Sequence, residues 1–396
     1  DSGVVVVRVD PAELDLLRPP DLHTATPQRF TDEPQGGPGR ISELLEGTDE
    51  YTRRKRVEYG HRRTFVWCGT DSHDDPVGTA RSIVEFAAAG VPMVGDLSPR
   101  TAHLVGPELT ALISGADPSA LRDPGARRRQ SARLRRAALA EHTARGFWRR
   151  VGADLAVDVS AAPSVSVLLP SNRPADVVDA ARRIDAQRDV DVQLVVGLHG
   201  AHMSSDLDDQ LASVTDRELV VVHLDDELNL GQVLSAMTER VDGRLVSKWD
   251  DDDWYDPHHL AELCWAMEQS GANLIGKAAE FVYLEQLDLT IQRFSGGGDR
   301  FSTTIAGGTL LLSAEDMSSV GWADAPRRVD RLLIDGIEDR GGTVYRANGF
   351  GYVLRRRGAD LGQHTWAAGD EYFLSQGVEQ RAGLDLEFAG FGEGAS

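Results

Sequence analysis

Residues 244–267 read RLVSKWDDDDWYDPHHLAELCWAM, and the order of residue types in that stretch decides the reading of the chain around it. Leu245, Val246 and Trp249 have the character of a buried strand, and four consecutive carboxylates, Asp250, Asp251, Asp252 and Asp253, end it. Asp256 and Pro257 then stand as N-cap and first residue of an apolar-periodic helix. While the backbone stays extended, successive side chains alternate, so Asp250 and Asp252 point one way and Asp251 and Asp253 the other. Two carboxylates on one side make a hard-oxygen site suited to Mn2+ or Mg2+. Such ions accept one or two protein carboxylates and leave their other positions to water and substrate phosphates. Four adjacent anions repel one another unless a cation or several donors offset them. An exposed acidic turn that only capped the next helix would account for Asp256 and poorly for the other four.

The stretch closes a regular series. SVSVLLP (164–170) reads as a strand, ADVVDAARRIDAQ (175–187) as a helix, VQLVVGLHG (192–200) and ELVVVHL (218–224) as strands, and LGQVLSAMTERV (230–241) as a helix. Strands that are apolar throughout and separated by helices imply a mostly parallel sheet covered on both faces. Its ligands are expected outside the carboxyl ends of the strands. The loops after Pro170, Gly197, Leu224 and Trp249 are therefore where a site is expected.

Composition removes several alternatives. With 63 acidic against 42 basic residues, the net charge of -21 is opposite to what a phosphate backbone recruits, so no nucleic-acid partner is expected. Cys68 and Cys264 are the only cysteines and form no CxxC pair, which excludes a disulfide scaffold or a cysteine zinc site and fits a cytoplasmic setting. No apolar run reaches the roughly 18 residues of a membrane span. Nor does a basic segment precede an apolar core at the N-terminus, so no leader is expected; the chain starts at Asp1, as a processed or truncated chain would. At about 150 residues per domain, the length suggests two or three domains.

Upstream, VVVVRV (4–9) reads as a short strand, and the Pro- and Gly-rich stretch to residue 40 as a linker. ISELLEGTDEYTRRKRVEYG (41–60), TFVWCG (64–69), GTARSIVEFAAAG (78–90) and VPMVGD (91–96) alternate as helix, strand, helix and strand, implying a compact α/β unit. Residues 124–155 form a basic helical segment around Leu134, Ala137 and Ala138, whose arginines are expected to solvate one face or to pair with acids elsewhere. AAPS at 161–164 marks a boundary.

The segment from Trp249 to Pro257 resembles the DxD region of family 2 inverting glycosyltransferases, in which DADDW is followed by a Pro. Asp250 and Asp252 match the outer acids, Asp253 the following acid and Pro257 the helix-starting Pro. VSVLLPSNRP (165–174) is similar to the family's nucleotide-cradling first strand and loop, NLGQVLSAMTERVDGRLVSK (229–248) to its NxG helix segment, and IAGGTLLLS (305–313) to its acceptor-side segment. In VDRLLIDGIEDRGG, Asp330 takes the place of the second acid of the family's ED pair, the general base. Glu338 and Asp339 form a literal ED pair but fall too close to Gly341. The likeness spans residues 163–366 and departs from the pattern twice: VVGLHG has His199 where an acid pair would read the nucleobase, and Val329 replaces the first acid of ED.

The resemblance implies a GT-A, Rossmann-like α/β domain at 163–370, preceded by a strand and linker at 1–40 and an α/β accessory domain at 41–160, and followed by a tail at 371–396. It implies Asp330 as catalytic base and a donor site of Pro170, Ser171, Asn172, Arg173, His199, Asp250 and Asp251. It further implies acceptor contacts at Trp249, Gly307, Gly308 and Thr309, and an Mn2+ or Mg2+ ion on Asp250 and Asp252 with His364 a candidate third ligand. Arg355, Arg356 and Arg357 are candidates to offset diphosphate charge. The partners implied are a nucleotide-sugar, a UDP-sugar foremost, and a glycan or other hydroxyl acceptor; a homo-oligomer is allowed. The enzyme would be hexosyltransferase-like, the alternative being an inactive pseudo-glycosyltransferase that binds or scaffolds. HRRTFVWCG with ARSIVEFAAAGVPMVGD is more faintly similar to the donor half of a GT-B glycosyltransferase, through Glu85, Gly90 and Pro92. Too few residues precede it for a second half, so a partial, non-catalytic domain is expected.

Overall fold

The computed structural model describes residues 39–40, 65–68, 75–143, 146, 162–200, 206–293, 298–357 and 370–392. The chain divides into two compact units, Asp1–Ala161 and Ala162–Ser396. The strand read at 4–9, the helix read at 41–60 and His364 lie outside the described residues.

In the first unit three short parallel strands lie in the order β1 (Gly39–Arg40), β2 (Val66–Trp67), β3 (Met93–Val94). With them are helices α1 (Pro76–Ala88), α2 (Pro99–Val105), α3 (Pro107–Ser114) and α4 (Pro124–His142). Three of these helices start by one device: a Pro in the first turn, preceded by Asp75, Ser98 or Asp123, whose side chain accepts the backbone N–H of Gly78, Thr101 or Ala126. Each such cap is worth about 1 kcal/mol. Helix α4 departs from the first of its two expected readings, a solvated basic face. Arg127, Arg128, Arg135 and Arg136 are buried, and Arg127 Nη1 donates to the carbonyls of Leu121 (3.0 Å) and Arg122 (2.9 Å), while Arg135 reaches the carbonyl of Ala88. A long guanidinium stem can cover apolar surface while its head satisfies buried carbonyls, so Arg127 and Arg135 fasten the unit from within.

The second unit runs β4 (Ser164–Ser171), α5 (Pro174–Asp185), β5 (Asp191–His199), α6 (Asp206–Val214), β6 (Glu218–Leu224), α7 (Leu230–Thr238) and β7 (Leu245–Lys248). It continues through β8 (Trp254–Tyr255), α8 (His259–Ser270), β9 (Leu274–Lys277), β10 (Phe281–Leu284), β11 (Leu289–Gln292), β12 (Arg300–Phe301) and β13 (Leu310–Ser313). Helices α9 (Ala314–Val320) and α10 (Val329–Asp339), strands β14 (Val344–Ala347) and β15 (Tyr352–Arg356), helix α11 (Asp370–Ser375) and strand β16 (Glu379–Ala382) complete it.

An eight-stranded sheet has the order β12-β14-β9-β13-β7-β4-β5-β6. Its half β7-β4-β5-β6 is parallel, as the apolar strands imply; β13 inserts antiparallel to both β7 and β9, so the whole sheet is mixed. Leu168, Val195, Val246, Leu310 and Leu312 from this sheet pack with Val233, Leu234 and Met237 of α7 and with Leu333, Ile334 and Ile337 of α10. Two glycines permit that packing. A Cβ on Gly197 would stand 2.5 Å from the Met237 sulfur, and one on Gly231 1.9 Å from the Ala323 carbonyl oxygen. The NxG segment thus has a local reason: Asn229 and Gln232 form a reciprocal capping box, and Gly231 lets the 323–325 segment lie against the helix start.

A five-stranded sheet has the order β16-β11-β10-β15-β8. The acidic run is the crossing between the two sheets, leaving the first at Lys248 and entering the second at Trp254. Of the expected tail at 371–396, the described residues 371–392 instead supply β16 along β11, and Phe388 and Phe391 in a cluster with Phe281 and Val353. The helix after the run starts at His259, later than expected. Asp256 does not cap it: the buried carboxylate accepts the N–H groups of His258 (2.9 Å) and Gly392 (3.0 Å), so the C-terminal segment claims it. Among the described residues no helix is long and apolar enough to cross a membrane.

Candidate functional site

Strands β4 and β7 are hydrogen-bonded neighbours, with Leu168 opposite Lys248, so the loop after Ser171 and the acidic run emerge together at their carboxyl ends. Trp249 donates its backbone N–H to the Leu168 carbonyl (3.0 Å) and is fully buried. Its ring stacks on Tyr255 at 3.8 Å between centroids and meets His259 edge-on. This corrects the expectation of Trp249 as an acceptor contact: a ring buried beneath the turn supports it and has no face left for a ligand. Asp251 and Asp252 form a turn and Asp253 a bend rather than extended chain, so strict alternation gives way. Asp251 and Asp252, expected on opposite sides, share the guanidinium of Arg173.

Each carboxylate of the run has a distinct set of partners. Asp250 accepts from the Lys248 ammonium (2.5 Å), and its backbone N–H donates to the Tyr255 hydroxyl (3.0 Å), which itself donates to the Gly308 carbonyl (2.9 Å). Asp251 accepts the Ser171 hydroxyl (2.5 Å) and pairs with Arg173 through both oxygens. Asp252 Oδ2 lies 2.9 Å from Arg173 Nη1 and 3.6 Å from Arg357 Nε. Asp253 accepts the Tyr352 hydroxyl (2.7 Å) and the Arg355 backbone N–H (2.9 Å). Asp176, in the first turn of α5, ties Arg173, Arg355 and Arg357 into the same network.

The expected acceptor glycines lie between Asp250 and Asp330. A Cβ on Gly307 would stand 2.6 Å from Asp330 Oδ2, and one on Gly308 2.8 Å from Asp250 Oδ2. Both carboxylates therefore press on adjacent residues of one short turn, which only glycine allows. Lys248 reaches the same turn, 3.3 Å from the Gly307 carbonyl. Thr309 is turned away: its buried hydroxyl is held by the backbone of Lys277 and Ala306. Asp330 opens α10, whereas Glu338 and Asp339 are exposed near its far end; eight residues of helix separate Glu338 from Asp330 by about 12 Å.

Burial and crowding set the charge state. Burial pushes the Asp252 carboxyl up to about 6; Arg173 opposes the shift, and Asp251 and Asp250 add to it. Burial, with Asp252 and Asp250 alongside, pushes Asp253 well above the usual carboxylate range. Burial alone would lower Lys248, but contact with Asp250 outweighs it and raises the ammonium above its ordinary value. Burial and crowding thus both oppose full ionisation of the run. Among the described residues no group of three or more His, Cys, Asp or Glu side chains is placed to hold a metal ion. Asp250 and Asp252 are nevertheless the hard-oxygen donors, in the number, that Mg2+ or Mn2+ takes from protein when substrate phosphates supply the rest.

The remaining expected residues divide. Pro170 and Asn172 flank Ser171 at the end of β4, and His199 ends the adjacent β5, one residue past the Leu198 that pairs with Ser171. Of the three arginines in LRRR, Arg357 reaches Asp252, Arg355 contributes its backbone N–H to Asp253, and the Arg356 guanidinium lies 5.2 Å from the Phe373 ring. Sequence reasoning missed Lys248, Tyr255, Tyr352 and Asp176. Lys248 carried a signal, a cation at a strand position flanked by apolar and small residues; the other three gain their roles only through partners distant in sequence.

No family model matches the chain, and no curated protein matches it. Among solved structures, S. aureus TarS 1-349 in complex with UDP-GlcNAc is similar over 51% of this chain and 61% of that one, at 12% identity and a TM-score of 0.37. S. aureus TarS is similar over 49% of this chain and 37% of that one, at 10% identity and a TM-score of 0.36. The mannosyltransferase PcManGT from Pyrobaculum calidifontis, in complex with GDP-Man and Mn2+, is similar over 58% of this chain and 69% of that one, at 13% identity and a TM-score of 0.40. The matched region thus spans less than two thirds of either TarS chain.

Proposed function

We propose that the second unit is a metal-dependent inverting glycosyltransferase of GT-A type, moving a sugar from a nucleotide-diphosphate sugar, a UDP-sugar foremost, to an acceptor hydroxyl of a glycan or glycoconjugate. The observation that carries this reading is the convergence of Asp250 and Asp330 on the Gly307–Gly308 turn, at the carboxyl end of the parallel strands. One acid belongs to a crowded cluster suited to a cation and a diphosphate; the other is a separate carboxylate across a gap lined by glycine.

Asp250 and Asp252 would hold Mn2+ or Mg2+, which supplies Lewis-acid neutralisation of charge developing on the leaving diphosphate. The loop of Ser171, Asn172 and Arg173 orients the donor. Asp330 takes the proton of the acceptor hydroxyl as that oxygen bonds to the anomeric carbon and the bond to the nucleoside diphosphate breaks, a single displacement that inverts the centre. The first unit would be a non-catalytic accessory domain serving assembly or acceptor binding.

Calorimetric titration of UDP and GDP, with and without Mn2+, into the wild type and Asp252→Ala tests the donor site. Metal-dependent binding should vanish in the variant with its circular dichroism intact; retained metal-dependent binding would sink the metal assignment. One observation favours the pseudo-glycosyltransferase reading: every carboxylate of the run has a partner inside the protein. A protein that binds nucleotide yet neither transfers nor hydrolyses any UDP- or GDP-sugar would be that scaffold.

A further inference from the structure

Every nitrogen of the Arg173 guanidinium faces a carboxylate. Nη2 pairs with Asp251 Oδ1; Nε lies 3.2 Å from Asp251 Oδ2 and 3.4 Å from Asp176 Oδ2; Nη1 lies 2.9 Å from Asp252 Oδ2. The carboxylate assigned to a divalent cation therefore already has one oxygen occupied by a fixed positive charge. A cation arriving at Asp252 would come within contact range of that guanidinium in a buried site, where repulsion is little screened. With Oδ2 taken, a cation at Asp252 would put two positive groups on one buried carboxylate, which favours displacement of one by the other. Arg173 has freedom to move aside: it precedes α5, its side chain makes no cap hydrogen bond to that helix, and it is 22% exposed although Asp251 and Asp252 are buried.

We propose that Arg173 is a counter-ion that changes partners, a step that rests on the donor-binding reading above. In the free protein its guanidinium pairs with both Asp251 and Asp252. When the diphosphate arrives together with its cation, Arg173 turns to the diphosphate oxygens and leaves Asp252 to the cation. The planar fork of Arg suits both partners, since carboxylate and phosphate oxygens present similar spacings to it. Asp251 keeps the Ser171 hydroxyl throughout, which limits the cost of the exchange.

The consequence is reciprocal linkage. Free Mn2+ binds weakly because it must expel a guanidinium that has no other anion to meet. Free UDP binds weakly because it must draw Arg173 away from two carboxylates. Together each provides what the other displaces, so each raises the other's affinity by the same factor. The exchange also gives Arg173 a role that its position in the nucleotide loop alone does not: it makes the site selective for the metal–diphosphate pair over either component.

The test titrates Mn2+ alone, followed by the electron paramagnetic resonance signal of the free ion, and then UDP with and without Mn2+ by calorimetry. Arg173→Ala should bind Mn2+ alone roughly tenfold or more tightly than wild type, and the enhancement of UDP affinity by Mn2+ should shrink by a similar factor. Arg173→Lys should keep weak Mn2+ binding but lose enhancement, because a point charge replaces the fork. If Arg173→Ala does not fold by circular dichroism, Arg173→Ala with Asp251→Asn carries the same test, since it removes the buried charge left unpaired. Unchanged or weaker Mn2+ binding in a folded Ala variant, with Mn2+-dependent UDP binding in wild type, overturns the exchange and leaves the transferase reading standing. Absence of Mn2+, UDP and GDP binding in every protein overturns both.

Discussion

Asp251 and Asp253 differ from Asp250 and Asp252 although the four are consecutive. The first pair is 2% and 1% exposed, and its oxygens are held by Ser171, Arg173, Tyr352 and the Arg355 backbone. The Asp252 side chain is 9% and the Asp250 side chain 36% exposed, and both are held mainly by long cationic side chains. Arg173 bridges the two pairs through Asp251 and Asp252, but only Asp251 and Asp253 are held in addition by hydroxyls and a backbone N–H. Under the proposed function, the first pair builds the turn and the second is the one left for a ligand.

The largest expected effect lies on the ligand side. Asp330→Asn should lower kcat by about 10²- to 10⁴-fold, the usual contribution of a positioned base, with Mn2+-dependent UDP affinity unchanged. Glu338→Gln, at the exposed far end of the same helix, should leave kcat as in wild type. A reversed pattern in steady-state kinetics would move the base and break the pairing of Asp250 with Asp330.

A smaller effect is expected on the structural side. Asp253→Ala leaves the Tyr352 hydroxyl and the Arg355 N–H buried without an acceptor, and should cost on the order of 2–4 kcal/mol in urea unfolding. Asp252→Asn removes a charge from a crowded site, while Arg173 keeps Asp251. At neutral pH without metal, that variant should be as stable as wild type or more so. Equal losses for the two variants would erase the distinction between the pairs.

The pH dependence sharpens it further. The Asp252 carboxyl is raised in the folded protein, so its contribution to stability is fully present below the ordinary value near 3.8 and is lost as pH rises through about 6. Asp253 acts in the same direction. The metal-free protein should therefore lose on the order of 3 kcal/mol from Asp252 between pH 4 and pH 7.5. Melting curves should show Mn2+ raising Tm more at pH 7.5 than at pH 5, and Asp252→Asn should flatten the trend.

Sequence patterning located more of this molecule than it explained. The strands 164–170, 192–200 and 218–224 were legible because apolar runs between helices have few other uses, and the observed strands lie within a few residues of those bounds. The antiparallel β13 was not, since strand direction depends on which neighbour the chain returns to. The C-terminal strand was missed because EQRA has no apolar face, and its place comes from pairing with β11. Trp249 shows the same limit at the site: the resemblance implied an acceptor contact, but which face the ring presents is a matter of packing.

What the sequence determined by itself is a chain of parallel strands and helices that delivers four carboxylates, a Ser-Asn-Arg loop and a Gly-Gly turn to the ends of its strands. Residue order and apolar period are local properties, and they survive without knowledge of contacts. Only the tertiary structure decided that Asp330 meets Asp250 across those glycines, that Arg173 stands where a cation would, and that Lys248, Tyr255 and Tyr352 hold the turn. Those relations join residues far apart in the chain, and charge and hydrogen bonding act through space.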